Sequence, residues 1–327
     1  MLPLVARKHH AIAALCASLV APCTLSAQAL RIADSLLTAG NVARAESAYY
    51  AGARIRPRDP VARWALGHFL VQRGAARVGT TLLEESLQFG GDPVFVGREL
   101  VRAYLVTGEF APLAALPAAS PAQRERAKWL TVHEPRIVAP DSVITAALAE
   151  KASSGAADTT SFAGIPVRVN GVPLTLSLSS QVQGIVVSRA AVGDRHPKLF
   201  AAGTDTMAAS AELLGVADSV SIGRLTMLNQ PVTIANLPSG TQGLIGLSAL
   251  GRFAPAANPS TKKLTLRVDG SVRSEVQGDR LPTLDGASGV SVLRSGVWIA
   301  SPAEVARLLR NRGWTFDAKR GTLIVDR

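Results

Sequence analysis

The sequence predicts a multidomain chain, α then β: helical hairpins followed by a closed β-barrel that carries a β/α extension at its C-terminal end. Three observations predict it. A step of 34 residues recurs between residues 30 and 116. From Ser161 onward the apolar period changes to two, as in half-buried strands. Short apolar runs then alternate with Gly and Asn turns, the pattern of a barrel or sandwich.

The chain opens on a short positive head, Arg7, Lys8, His9 and His10. Residues 11–22 are apolar but too few to span a bilayer, and Ser26-Ala27-Gln28-Ala29 puts small residues where a signal peptidase cleaves. Residues 1–29 therefore read as a signal peptide and the chain as exported, periplasmic or secreted, with no transmembrane segment after cleavage. An uncleaved anchor is the competing reading. A lipid attached at Cys23 is disfavoured by Pro22, which stands where a small residue is wanted. The two cysteines, Cys16 and Cys23, both fall in this leader. The mature chain then has no disulfide, thiolate nucleophile or Cys-held metal. Its histidines, His68, His133 and His196, are widely separated and show no metal-ligand spacing. No metal and no cofactor is expected. The formal charge of +11 becomes +9 without Arg7 and Lys8. Such a charge suits anionic head groups or wall polymers, but no dense basic run appears. The leader and the few aromatics argue against nucleic acid as a partner.

In residues 30–116, Gly40, Gly74 and Gly108 stand 34 apart, as do Leu36, Leu70 and Tyr104, and Ile32, Leu66 and Leu100. Ala45 matches Gly79, Tyr49 matches Leu83, and Gly52 matches Ser86. Small residues at 45 and 79 let paired helices approach, large ones at 49 and 83 fill the groove, and the glycines end the first helix of each pair. Pro57, Asp59-Pro60 and Asp92-Pro93 break the chain between units. These residues resemble the tetratricopeptide family, with two full repeats and most of a third. The resemblance implies a concave surface that binds a protein or peptide; the plainer alternative is a helical spacer supporting the β-rich half. Residues 117–160 read as a helical linker: Ser120-Pro121 opens a helix through Trp129, a second runs from about 142 to 151, and 153–160 is small and polar.

Residues 161–270 read as a β domain. Ile165, Val167 and Val169 alternate up to an Asn170-Gly171 turn, and Leu174, Leu176 and Leu178 follow, a hairpin signal. Further strands are expected at 184–188, 219–222, 225–227, 232–235 and 263–268. The order of Val167-Arg168-Val169-Asn170-Gly171-Val172-Pro173-Leu174, Val220-Ser221-Ile222-Gly223-Arg224-Leu225 and Gly243-Leu244-Ile245-Gly246-Leu247-Ser248-Ala249-Leu250, then Arg252-Phe253, Asn258-Pro259 and Leu264-Thr265-Leu266, resembles retropepsin-like aspartic proteases. The resemblance implies a barrel of acid-protease type and a site in which two carboxylates share one proton.

By that resemblance, the catalytic Asp-Thr-Gly falls on Ser179, Ser180 and Gln181. A serine hydroxyl does not take a proton from water near neutral pH, so no general base remains. Gln181 adds a Cβ where the family has Gly beside the carboxylates. Ser180 is expected to keep the hydroxyl hydrogen bond of the family's Thr. A serine nucleophile at Ser179 lacks an adjacent base, and no Gly-x-Ser-x-Gly surrounds it. The catalytic set is therefore expected to be degenerate, Ser179, Ser180 and Gln181, with no active residue among them. Asp285, in Leu284-Asp285-Gly286-Ala287-Ser288-Gly289, is the outside candidate for an acid; an Asp-Gly turn is the simpler account. Asp194 and Asp205 are weaker candidates, the latter in a flap-like Gly203-Thr204-Asp205-Thr206 loop.

Residues 271–327 form the C-terminal extension. Ser301-Pro302-Ala303-Glu304 has the capping-box pattern, with Val305, Leu308 and Leu309 as the buried helix face. A hairpin is expected from 314–317 to 322–325. Arg307, Arg310, Arg312, Lys319 and Arg320 read as a solvated helix face and a basic turn. The expected protein is an exported interaction protein whose barrel binds peptide or forms a homodimer. An aspartic endopeptidase using Asp285 and a structural envelope component are the alternatives.

Overall fold

The computed structural model describes residues 27–149, 161–193, 197–200, 213–287 and 289–326. Helices come first: α1 (27–38), α2 (Val42–Ile55), α3 (Pro60–Gln72), α4 (Ala76–Gln88), α5 (Pro93–Thr107), α6 (Phe110–Ala115) and α7 (Pro121–Val132). Asp59 and Asp92 cap α3 and α5 by accepting from the first-turn amides, each followed by a proline that has no amide to lose. Ser120 and Gln123 form a reciprocal capping box on α7. Gly40, Gly74 and Gly108 sit at φ of 77, 86 and 76°, the left-handed turn that only glycine adopts freely, and each closes the first helix of a pair. Close approach of α3 and α4 depends on Gly79, where a Cβ would stand 2.6 Å from the Gly67 carbonyl oxygen. The 34-residue step is thus three stacked helical hairpins, the third short. Tyr49 tilts over Phe69 at 5.0 Å in the first of two helical cores.

The strands are β1 (Arg136–Val138), β2 (Val143–Ala147), β3 (Ser161–Val169), β4 (Val172–Ser179), β5 (Ile185–Ser188), β6 (Lys198–Phe200), β7 (Leu213–Ile222), β8 (Leu225–Ala235), β9 (Gly243–Gly246), β10 (Ala256–Asn258), β11 (Lys263–Arg267), β12 (Asp279–Gly286), β13 (Gly289–Arg294), β14 (Val297–Ile299), β15 (Trp314–Asp317) and β16 (Thr322–Val325). Between them lie short helices α8 (Arg189–Val192) and α9 (Leu247–Gly251), then α10 (Pro302–Leu309) and a 3-10 turn over Ala318–Arg320. Six strands close on themselves in the order β8-β5-β9-β4-β3-β7 and back to β8, with β1 and β6 added at the rim. This is the expected α-then-β architecture with a closed barrel. Asn170 and Gly171 take φ of 49 and 81°, the primed turn that matches the twist of β3 and β4. Leu174, Leu176 and Leu178 all point inward, and each buried Leu contributes about 1.5–3 kcal/mol.

Two expectations are corrected. Residues 143–147, expected within a linker helix, form β2. Val143, Ile144 and Thr145 are β-branched and favour a pleated strand, and Ile144 and Ala146 alternate inward while the strand pairs with β11. The strands expected at 225–227 and 232–235 are one continuous β8. The polar stretch 153–160 lies outside the described residues.

The second sheet runs β14-β13-β12-β16-β15-β10-β11-β2. The C-terminal extension therefore continues the β domain: Val290, Val305, Leu309, Trp314 and Leu323 share one core with the barrel residues. The helices lean on both parts. Val216 of β7 joins the core of α4 to α7, and the buried Arg126 donates to the Val232 carbonyl at 3.4 Å, with burial pushing its guanidinium down to about 10. Leu293 and Trp298 join the core of α1 to α4. No helix among the described residues is long and apolar enough to cross a membrane.

Candidate functional site

The turn that leaves β4 carries the three residues expected to be degenerate. Ser179 and Ser180 are each 1% exposed, so neither hydroxyl meets solvent. Ser179 Oγ accepts from the Gln181 amide at 3.1 Å, which ties the hydroxyl to its own turn. Gln181 is not in the left-handed region. The local backbone therefore does not demand glycine there, contrary to the expectation that its Cβ would resist the conformation. Ser180 Oγ is buried with no hydrogen-bond partner among the described residues, so the expected hydroxyl bond is not made.

The turn is pinned from three sides. Gly246 donates its amide to the Gly184 carbonyl at 2.8 Å, and Ser248 donates to the Gln183 carbonyl at 3.1 Å. Val290 at the start of β13 donates to the Ser180 carbonyl at 2.7 Å. Gln183 Nε2 donates to the Gly286 carbonyl at 2.5 Å. Two glycines make this contact feasible. A Cβ on Gly246 would collide with the Val182 oxygen, and one on Gly289 would collide with the Ser180 oxygen.

Asp285 comes to the same place from β12. It pairs with Val290, and Gly286 pairs with Gly289, so Asp285 sits near the tip of the β12–β13 pair. Asp285 thus ends a strand beside the Ser180 turn, and its carboxylate reaches the helices: Oδ1 lies 3.6 Å from Arg102 Nη2 of α5. Oδ1 has no hydrogen-bond partner among the described residues, nor have Arg102 Nε and Nη1, although the Arg102 side chain is only 10% exposed. Burial pushes the Asp285 carboxyl above its ordinary range, with Arg102 pulling the other way. Burial likewise lowers the Arg102 guanidinium, against the pull of Asp285 and Glu99. The pair is close but does not repay its desolvation. Asp194, Asp205 and His196 lie outside the described residues.

A polar ladder continues from Arg102 along the helices. Glu99 Oε2 lies 2.9 Å from His68 Nδ1, and that contact holds the Glu99 carboxyl below its ordinary range against the opposing effect of burial. Gln72 Nε2 meets His68 Nε2 at 2.9 Å. With the amide nitrogen as donor, the ring proton sits on Nδ1, facing Glu99. Trp64 stacks on His68 at 5.2 Å and meets Phe95 at 4.6 Å. Trp64, His68 and Gln72 also line a cavity of about 680 Å³ between α1, α2 and α3, with Phe69 in its wall and Arg31 and Arg56 among its charges. A volume of that size accepts a peptide side chain or a small ligand, since such pockets span about 300–1,000 Å³. Arg73 clamps the same junction lower down, donating to the carbonyls of Thr283 at 2.7 Å, Gly321 at 2.5 Å and Arg320 at 3.1 Å.

Sequence reasoning named Ser179, Ser180, Gln181 and Asp285, and the structure brings their loops together. It missed Arg73, Arg102, Gln183 and Gly289. A weak signal existed for two of them. The second glycine of Asp-Gly-x-x-Gly marks a close approach, and Arg102 interrupts a helix whose neighbours Leu100, Ala103 and Tyr104 are apolar or aromatic. Among the described residues no group of three His, Cys, Asp or Glu side chains could hold a metal ion.

No family model matches the chain, and no curated protein matches it. Among solved structures, the chain is similar to a retropepsin-like aspartic protease from Rickettsia conorii, with 16% identity over 41% of this chain and 92% of that one, at a TM-score of 0.26.

Proposed function

We propose that this chain is an exported, non-catalytic interaction protein: helical repeats that bind a protein or peptide, joined to a degenerate aspartic-protease-like barrel. One observation carries the loss of catalysis. Acid proteolysis needs two carboxylates near a shared water. Here the position expected to hold one is the buried Ser179, bonded to its own turn, and Asp285 is directed at Arg102. The cavity beside Trp64, His68 and Gln72 supports the binding role. The leader-like residues 1–29 support export, and the repeat spacing supports the tetratricopeptide likeness. Asp285 is assigned to holding β12 against α5 and to no catalytic step.

The test is incubation of the mature chain with an unfolded protein substrate from acid to neutral pH, with and without an aspartic protease inhibitor. No cleavage is expected. Inhibitor-sensitive cleavage that Asp285→Asn abolishes would replace this reading with the endopeptidase one. For binding, an unbiased peptide library is presented to the mature chain and to a Trp64→Ala, Gln72→Ala variant. Selection of shared peptides by the first and not the second is expected; no selected peptide would leave the helices as a spacer.

A further inference from the structure

Six consecutive strands of the second sheet, β2-β11-β10-β15-β16-β12, counted from its β2 edge, repeat in order and register as about a two-fold axis. Ala256 of β10 faces Thr315 of β15. A shift of 59 positions carries the β10–β11 hairpin onto the β15–β16 hairpin without a slip. Ala256↔Thr265, Ala257↔Leu264 and Asn258↔Lys263 become Thr315↔Ile324, Phe316↔Leu323 and Asp317↔Thr322.

The turns match atom for atom. Asn258 Oδ1 accepts from the Thr261 amide at 3.1 Å, and Asp317 Oδ1 accepts from the Arg320 amide at 3.2 Å. Lys262 donates to the Pro259 carbonyl, and Gly321 to the Ala318 carbonyl, each at 3.2 Å. Lys262 and Gly321 take φ of 51 and 54°.

The outer strands agree as well. β2 lies on β11 through Ala147↔Lys263, Ala146↔Leu264, Thr145↔Thr265 and Ile144↔Leu266. β12 lies on β16 in the equivalent register, Pro282↔Thr322, Leu281↔Leu323, Arg280↔Ile324 and Asp279↔Val325. A short strand and a helix precede each hairpin, β9 and α9 before one, β14 and α10 before the other. The buried Leu250 and Leu309 keep the same shift. Chance resemblance of two hairpins does not also fix the register of their outer neighbours and the antiparallel contact across the axis.

We infer that residues 278–326 are a reduced second copy of the unit built by residues 143–267, and that this copy occupies within the chain the face on which a second chain would pair. An antiparallel edge crossing a two-fold is the geometry of a self-complementary dimer interface. Here β15 fills the β10 edge, and the start of β13 covers the Ser180 turn through the Val290 amide. The partner this surface fits is a second copy of the same unit, and the chain supplies that copy itself. A homodimer through the β half then requires exchange of residues 278–326.

Cysteine cross-linking tests this directly, because a chain cleaved after Ala29 has no other thiols. The Phe316 amide donates to the Pro255 carbonyl, which leaves Ala256 and Thr315 as a non-hydrogen-bonded pair suited to a disulfide. The Ala256→Cys, Thr315→Cys chain is expected to oxidise to a single-chain band with no free thiol. Ala256→Cys alone is expected to stay a free-thiol monomer. A covalent dimer from the single variant would place residue 256 opposite its own copy and overturn the inference. So would a dimer, or unreacted thiols, from the double variant. Should that variant fail to fold, hydrogen exchange of the unaltered chain decides: β10 amides covered within the chain keep their protection on dilution, and amides covered by another copy lose it.

Discussion

Arg102→Leu is the most informative single change. It removes the counter-ion of Asp285, whose carboxylate is three-quarters or more buried with Oδ1 unbonded among the described residues. Breaking a buried pair from one side costs about 3–5 kcal/mol, because a charge is left without compensation. In a chain of this size that is roughly 10 °C in Tm, at about 2–4 °C per kcal/mol. The pH dependence identifies the cause. Asp285 has its folded pKa raised, so the folded chain holds the proton more tightly than the unfolded one. Stability from this group is present below the unfolded pKa of about 3.9 and is lost as pH rises through the folded value. Without Arg102 the folded pKa rises further and the loss grows. Thermal unfolding by circular dichroism at pH 7 and pH 4 should show a large Tm gap between variant and parent at pH 7 and a small one at pH 4. Adding Asp285→Leu should recover most of the loss at pH 7, since an apolar pair of similar volume is often as stable as a buried ion pair. An equal gap at both pH values, or no recovery in the double variant, would show that Arg102 acts by packing alone and that Asp285 carries no buried charge.

Three further outcomes are expected. Gly289→Ala places a Cβ against the Ser180 oxygen at a φ of 100° and should cost about 3 kcal/mol or more in chemical denaturation, whereas Gly296→Ala, which meets no atom within 4 Å, should cost only its positive-φ strain of about 1–2 kcal/mol. Asp92→Ala removes the acceptor of two first-turn amides of α5 and should cost about 1 kcal/mol by the same measurement. Ser179→Asp with Gln181→Gly should cleave no unfolded substrate at any pH from acid to neutral, because a second carboxylate is still missing; cleavage by that variant would mean that Asp285 can turn into the site.

Local chemistry was legible where it is written in neighbouring residues. Asn170-Gly171 demanded a hairpin, and Asp59-Pro60 and Asp92-Pro93 demanded breaks between helical units; both formed, and each Asp also caps the helix that follows its break. Ser301 with Pro302 also begins α10, but through its carbonyl, which accepts from the Glu304 and Val305 amides, while its hydroxyl makes no cap bond. The linker was misread at Val143 because five residues are too few to show a period, Pro140-Asp141-Ser142 before them suits a helix start as well as a strand start, and only β11 gives the segment a reason to extend. The two-fold was not legible either. Lys263-Leu264-Thr265 and Thr322-Leu323-Ile324 agree at one aligned position, and what they have in common is a register that exists only in the folded sheet.

The site was half legible for the same reason. That Ser179 and Ser180 cannot replace carboxylates follows from hydroxyl chemistry and needed no coordinates. Where Asp285 points could not follow from Asp-Gly, because the deciding contact lies on a helix far earlier in the chain. An acid of a shared-proton pair must face its partner and a water. An acid in a strand-end hairpin faces whichever side the pleat gives it, and here that side is α5. Arg102 pulls the Asp285 carboxyl back toward its ordinary range, against the larger effect of burial, which favours its proton. The same contact joins α5 to β12, with Arg73 at the end of α3 reinforcing the junction through three carbonyls.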